Sequence, residues 1–200
     1  MNPYYKDDSV TIYNCDCRDI LPTLGRFDLL LTDPPYGIGF AAQPTKWQRA
    51  AGKAPEQWDN STVNISDAIA ATEKSIVWGG NYYCLPPSRG WLVWHKPDAP
   101  PSMSQVELAW TSVDMNAKFF SRSISATNGE RLGHPTQKPL ALMGWCLDLF
   151  PDSFTVLDPF AGSGTTGRAC KDLGRKCVLI EREEKYCEIA AKRMQQEVLF

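Results

Sequence analysis

The segment Val156-Leu157-Asp158-Pro159-Phe160-Ala161-Gly162-Ser163-Gly164-Thr165-Thr166-Gly167 sets the strongest limit on what this chain can become. It reads as a buried strand, a glycine-rich turn and the first turn of a helix. Glycine lets backbone pass close to a ligand, and a helix start leaves N–H groups free. A P-loop is excluded, because Gly167 is followed by Arg168 and Ala169 rather than by Lys and Ser or Thr. Gly162-x-Gly164-x-x-Gly167 does match the dinucleotide fingerprint, and Glu181 ends the next apolar run where a ribose-binding acid would sit. Two features loosen that match. Asp158 to Ala161 separate the strand from the first glycine, and the acid follows sooner than usual. S-adenosylmethionine needs the same ribose acid but no pyrophosphate cradle, so both cofactors stay open on this turn alone.

Short apolar runs continue the pattern. Val10–Tyr13, Leu29–Thr32, Ser75–Trp78, Trp91–Trp94, Val106–Trp110, Phe154–Leu157 and Cys177–Ile180 predict strands, several nearly continuous in apolar residues as buried parallel strands are. Helices are expected over 66–74, 137–150, 165–173 and 183–196, the second bounded by Pro139 and Pro151. Alternation of this kind predicts a doubly wound α/β sheet. At 200 residues, 43% hydrophobic and 22% charged, the chain suits one soluble domain over 1–200. No apolar run approaches a membrane span, and the first residues lack the basic start and apolar stretch of a signal peptide, so a cytosolic setting with reduced thiols is expected. The seven cysteines contain no CxxC pair, so no metal site is expected and buried apolar cysteines are the better reading.

A second motif lies at the end of the run Leu29-Leu30-Leu31-Thr32: Asp33-Pro34-Pro35-Tyr36. Proline has fixed φ and no N–H, so the turn is rigid and its carbonyls are left to accept from something else. Asp33 adds a second acceptor and Tyr36 a flat face. Two acceptors and an aromatic ring suit a planar amine. Its lone pair is delocalised into the ring, and hydrogen bonds to both N–H groups favour a pyramidal nitrogen with that pair aimed at an electrophile. A base in a duplex must be flipped out to arrive there. A proline-capped strand end beside a buried tyrosine would give the same four residues.

Taken together, these motifs resemble the amino-methyltransferases of DNA. The tetrapeptide precedes the glycine turn, and His134-Pro135-Thr136-Gln137-Lys138-Pro139-Leu140 lies between them, an order similar to the circularly permuted β class. The resemblance implies a Rossmann-like, mostly parallel seven-stranded sheet, S-adenosylmethionine as cofactor, DNA as partner, and transfer of a methyl group to a flipped-out base. It implies that Asp33, Pro34, Pro35 and Tyr36 are catalytic. It implies cofactor contacts from Asp16, Cys17, Asp33, His134, Thr136, Lys138, Asp158, Phe160, Ala161, Gly162, Ser163, Gly164, Thr165 and Glu181, with Asp16 near the adenine, Glu181 on the ribose and 134–139 at the methionine end. The family prefers Asp in the tetrapeptide for adenine N6 and Ser for cytosine N4, so Asp33 favours adenine. Members commonly carry a target-recognition insertion, for which only about 111–133 remains here.

A net charge of −2 argues against a broadly basic DNA-binding face, so contacts must be local. Lys118, Arg122 and Arg131, and Lys46, Trp47, Arg49 and Lys53 in a mobile loop expected over 37–60, are the candidates. Of the tryptophans, only Trp47 and Trp58 are candidates for stacking on DNA. Two histidines without a partnered nucleophile argue against a hydrolase. A cytosine-N4 or RNA methyltransferase, a nicotinamide oxidoreductase and a non-catalytic DNA-binding subunit remain as alternatives. A homodimer and a restriction-modification or phage setting are compatible with the resemblance.

Overall fold

A computed structural model describes residues 1–39, 59–129 and 137–196. One sheet carries nine strands: β1 (Tyr5–Lys6), β2 (Val10–Asn14), β3 (Phe27–Thr32), β4 (Thr72–Trp78), β5 (Trp91–His95), β6 (Val106–Thr111), β7 (Lys118–Ser121), β8 (Thr155–Asp158) and β9 (Lys176–Glu181). Their spatial order is β1-β2-β9-β8-β3-β4-β6-β5-β7. Strands β2, β9, β8, β3 and β4 run parallel, β6 is antiparallel to both its neighbours, and β7 pairs parallel with β5. All seven expected strands are present. The sheet adds β1 and β7 at its two edges, both too short and too polar to stand out as apolar runs.

The described residues also form α-helices α1 (Cys17–Ile20), α2 (Ser66–Ala70), α3 (Ile124–Asn128), α4 (Leu140–Asp148), α5 (Thr165–Asp172) and α6 (Glu184–Met194), with 3-10 turns at Leu21–Thr23 and Gly80–Tyr82. The helix expected over 66–74 stops at Ala70, because Thr72 and Lys74 are drawn into pairing with Phe27 and Leu29 of β3. Side chains alternate across a strand, and this sorts the interior into two layers. Leu29, Leu31, Ile76 and Trp78 pack with Leu142, Met143, Ala169 and Cys187 from α4, α5 and α6. Leu30, Val77, Leu157 and Ile180 face the other way, against Cys17, Ile20 and Ala68. Both faces are therefore covered, and β3, fully buried from Leu29 to Thr32, needs no polar side. Buried Arg175 donates to the carbonyls of Leu147, Phe150 and Ser153 at 2.9–3.0 Å, satisfying the end of α4 and the turn after it. The segment expected to recognise the target, 111–133, holds the end of β6, all of β7 and α3 in its described part. Among the described residues no helix is long and apolar enough to cross a membrane.

Candidate active site

Strands β8 and β3 are neighbours at the middle of the sheet, and the chain runs on from them in opposite directions, from β8 to β9 on one side and from β3 to β4 on the other. That makes their carboxyl ends a topological switch point, where open α/β sheets bind ligands. Asp158 ends β8 and Asp33 follows β3, so the two sequence motifs meet there although 125 positions separate them. The strand ends are tied together: the Thr32 hydroxyl donates to Asp158 Oδ1 at 2.8 Å, and Thr166 of α5 donates to Oδ2 at 2.6 Å. Burial pushes the Asp158 carboxyl up to about 6 against those hydrogen bonds. A cavity of about 890 Å³ opens over these ends, lined by both motifs.

The tetrapeptide is held by charge. Asp33 Oδ1 accepts from the Tyr36 hydroxyl at 2.6 Å and Oδ2 from Lys138 Nζ at 2.6 Å. The same ammonium donates to the Tyr36 oxygen at 3.1 Å and lies 3.2 Å from Glu107 Oε2. The other Glu107 oxygen accepts from Lys96 at 2.9 Å. Lys138 and Lys96 are 7% and 5% exposed, a degree of burial that lysine tolerates only when paired. Burial works against the Lys138 charge, but Asp33, Glu107 and Tyr36 outweigh it and hold its pKa well above the usual value. Glu107 is lowered by the two lysines despite its burial. For Asp33, burial pushes upward and outweighs the downward pull of Lys138 and Tyr36, leaving the carboxyl above its usual value. The Pro35 carbonyl, expected to be free, accepts from the Tyr83 hydroxyl. Tyr36 also differs from expectation: its ring stacks on Tyr82, centroids 5.1 Å apart at 18°, and Gly79 in the left-handed region packs against it with no room for a Cβ.

At the glycine turn, Glu181 Oε2 accepts from Gly162 N–H and Oε1 from Glu183 N–H, both at 2.8 Å. Burial raises this carboxyl against those hydrogen bonds. The Gly162 amide is thus engaged by the chain's own acid. Gly164, expected to line the cofactor, does not line the cavity: it caps α5 at φ +76° with its Cα turned to Ala190 of α6, where a Cβ would lie 2.8 Å from the Ala190 Cβ. The reason is helix packing, since α5 and α6 cross at this turn. A pyrophosphate cradle made by these two glycines is therefore not what the turn presents.

Most of the expected site residues do converge. Asp16, Cys17, Asp33 to Tyr36, Lys138, Asp158, Phe160 to Ser163, Thr165 and Glu181 all line the cavity. Asp16 caps α1, accepting from Arg18 N–H at 3.0 Å, and its charge is paired with Arg18 at 2.6 Å, which holds its pKa at about 2. Lys138 donates to Asp33 and Tyr36 and lies 3.2 Å from Glu107 Oε2, an ion-pair distance without a hydrogen bond. Lys118 lies opposite Leu92 at the start of β5, set back from the carboxyl edge, whereas Arg122 follows β7 and is half-buried, its N–H donating to the His95 carbonyl. His134, Thr136 and Arg131, and the loop candidates Lys46, Trp47, Arg49 and Lys53 with Trp58, lie outside the described residues. The roots of that loop are described, and Asp59 ties them by accepting from Gly37 N–H at 2.9 Å while its carbonyl accepts from Gly39. Sequence reading did not single out Glu107, and it gave Lys96, Tyr82 and Tyr83 no individual role. The signal for Glu107 is its place as a lone acid in the strand Val106-Glu107-Leu108-Ala109-Trp110.

A model of the N6/N4 methyltransferase family, described as DNA methylase, matches residues 88–192, more than half of the chain. The chain belongs to this family. As an N6/N4 DNA methylase it has two notable curated relatives. It is 47% identical to the type II methyltransferase M.HinfI of Haemophilus influenzae over 64 residues, which is 32% of this chain and only 18% of that enzyme. It is 25% identical to M2.MboI of Moraxella bovis over 96% of this chain and 91% of that enzyme. Among solved structures, the M1.HpyAVI complex with S-adenosylmethionine superimposes with a TM-score of 0.64 at 25% identity, covering 92% of this chain and 99% of that one. The cytosine-N4-specific PvuII methyltransferase shares the fold at 19% identity and a TM-score of 0.61, over 99% and 90% of the two chains.

Proposed function

We propose that this N6/N4 DNA methylase transfers a methyl group from S-adenosylmethionine to N6 of an adenine flipped out of DNA. The observation that carries the reading is the pair of acceptors at the switch point. The Pro34 carbonyl accepts no hydrogen bond among the described residues, and it stands beside an Asp33 carboxylate whose two oxygens each have one donor already. Two acceptor positions on Asp33 and the proline carbonyl are left for the two N–H groups of an amine. Asp rather than Ser at this position favours adenine over cytosine N4.

The cofactor is suited by the rest of the cavity. Glu181, immobilised by two backbone N–H groups yet lining the cavity, keeps lone pairs for ribose hydroxyls. Asp16 and Cys17 would border the adenine, and Phe160 to Ser163 would wall the path between. When bound, S-adenosylmethionine supplies the electrophilic sulfonium methyl. The chain's own share is positioning. Asp33 and Pro34 hold the amine with its lone pair out of the ring plane, Tyr36 and Tyr82 bound the base, and Asp33 stands nearest to accept the proton that leaves the nitrogen when the new bond forms. Incubation with labelled S-adenosylmethionine and DNA, then digestion to nucleosides, tests this. Label in N6-methyladenine is the expected result; label in N4-methylcytosine would overturn the choice of base, and none in DNA would overturn the activity.

A further inference from the structure

Asp33 is placed where its chemistry is at risk. Its side chain is 21% exposed on the wall of a cavity that a ligand would close, and a carboxyl withdrawn from water takes up a proton unless a cation answers it. A protonated Asp33 would offer a donor where the amine needs an acceptor. We propose that Lys138 is a positioning residue that keeps Asp33 ionised and aimed into the cavity, and that Glu107 and Lys96 fix Lys138 in that task. This rests on the methyltransferase reading for its purpose, though not for its measurement.

The groups facing Asp33 come from five directions. Tyr36 donates from its own turn, Lys138 reaches in ahead of α4, Glu107 stands on β6, Asp158 ends β8, and the Tyr83 hydroxyl closes on Pro35. Only Lys138 among these is cationic. Two lysines and two carboxylates alternate along the line Asp33, Lys138, Glu107, Lys96, so the cluster is neutral while Asp33 is charged. Asp158 is held apart by its own two hydroxyl donors. The ammonium is also built in place by its backbone. Gln137, next to it, accepts from the Ser163 hydroxyl at 3.1 Å, and the Pro139 carbonyl accepts from the Leu142 and Met143 amides of α4. Side chains of two consecutive residues thus grip the glycine turn and the tetrapeptide.

The test is a carbon-detected titration of Asp33 in protein labelled at the aspartate carboxyls, without DNA or cofactor. Relative to wild type, Lys138→Met is expected to raise the Asp33 midpoint by about 1–3 pH units, the reverse of what a neighbouring cation does, whereas Lys138→Arg leaves it near wild type. Glu107→Gln removes a like charge and is expected to lower it. An unchanged midpoint in Lys138→Met overturns the proposal; should that variant not fold, Lys138→Gln, which removes the charge but keeps a polar side chain, is titrated in its place, and an unchanged midpoint there overturns it instead. In turnover, the acid limb of kcat for Lys138→Met should move up by the same amount, with activity recovering at alkaline pH and the KM for S-adenosylmethionine holding. A loss of kcat that is flat across pH would mark a merely structural lysine. If wild type methylates no DNA while the titrations behave as stated, the functional reading fails and the role of Lys138 toward Asp33 stands.

Discussion

Thr32 and Asp158, the last residues of two neighbouring central strands, are joined by a 2.8 Å hydrogen bond across the switch point of the sheet. Asp158 is 2% exposed and its folded-state pKa is pushed up to about 6. Raising a carboxyl means that the folded state binds the proton more tightly than the unfolded one, so ionisation costs stability. The penalty is absent below about pH 4, grows as pH rises to 6 and is complete above that, each pH unit between the unfolded and folded midpoints costing about 1.4 kcal/mol. Asp158→Asn removes the titration. Urea unfolding of both proteins from pH 4 to 7 should show wild type losing about 2–3 kcal/mol relative to the variant as pH rises. A constant difference would mean that Asp158 is solvated or neutralised by another route.

Asp33→Ala removes an acceptor from the amine site and strands the Lys138 ammonium. Removing one preorganised hydrogen-bonding group from a reaction centre slows turnover by about 10²–10³-fold, and here the loss should be at least that large in kcat. Cofactor affinity, carried by the other motif, should fall little. Single-turnover methylation and calorimetry on the same preparation separate the two, and retained turnover would remove Asp33 from the reaction centre.

Glu181→Ala should do the opposite. Hydrogen bonds to a charged group contribute about 1.5–3 kcal/mol each, so losing the ribose acceptors weakens S-adenosylmethionine binding by roughly ten- to hundredfold. The Gly162 and Glu183 amides lose their partner in the same stroke. Unchanged affinity by calorimetry would refute the ribose assignment.

What could be read from the sequence follows the kind of signal each feature leaves. Strands β3, β4 and β9 are legible because burial on both faces makes them continuous apolar runs. Strand β7 is not, because Lys118, Phe119 and Ser121 are exposed at an edge and Phe119 looks outward at 64%. The two motifs show their own chemistry, but the line from Asp33 through Lys138 and Glu107 to Lys96 leaves no local pattern, its first link joining residues 105 apart. Tyr36 was legible as a stacking face and not as an occupied one, since Tyr82 meets it only through the tight turn at Gly79 and Gly80.

The two glycines of the turn should divide stability from binding. Gly164 sits at φ +76° against α6, where any Cβ meets Ala190, and it does not line the cavity. Gly164→Ala should therefore destabilise the fold by about 1–3 kcal/mol through left-handed backbone strain and overpacking. Cofactor affinity should change little at temperatures where the variant is folded. Gly162, at φ +51°, lines the cavity and donates to Glu181, so Gly162→Ala should weaken the cofactor complex as well as the fold. Thermal melts and calorimetry on both variants decide between this division and the expectation that both glycines face the cofactor. If Gly164→Ala lost affinity as steeply as Gly162→Ala, the turn would have to present both residues to the ligand, and the packing of Gly164 on Ala190 would not be what fixes it.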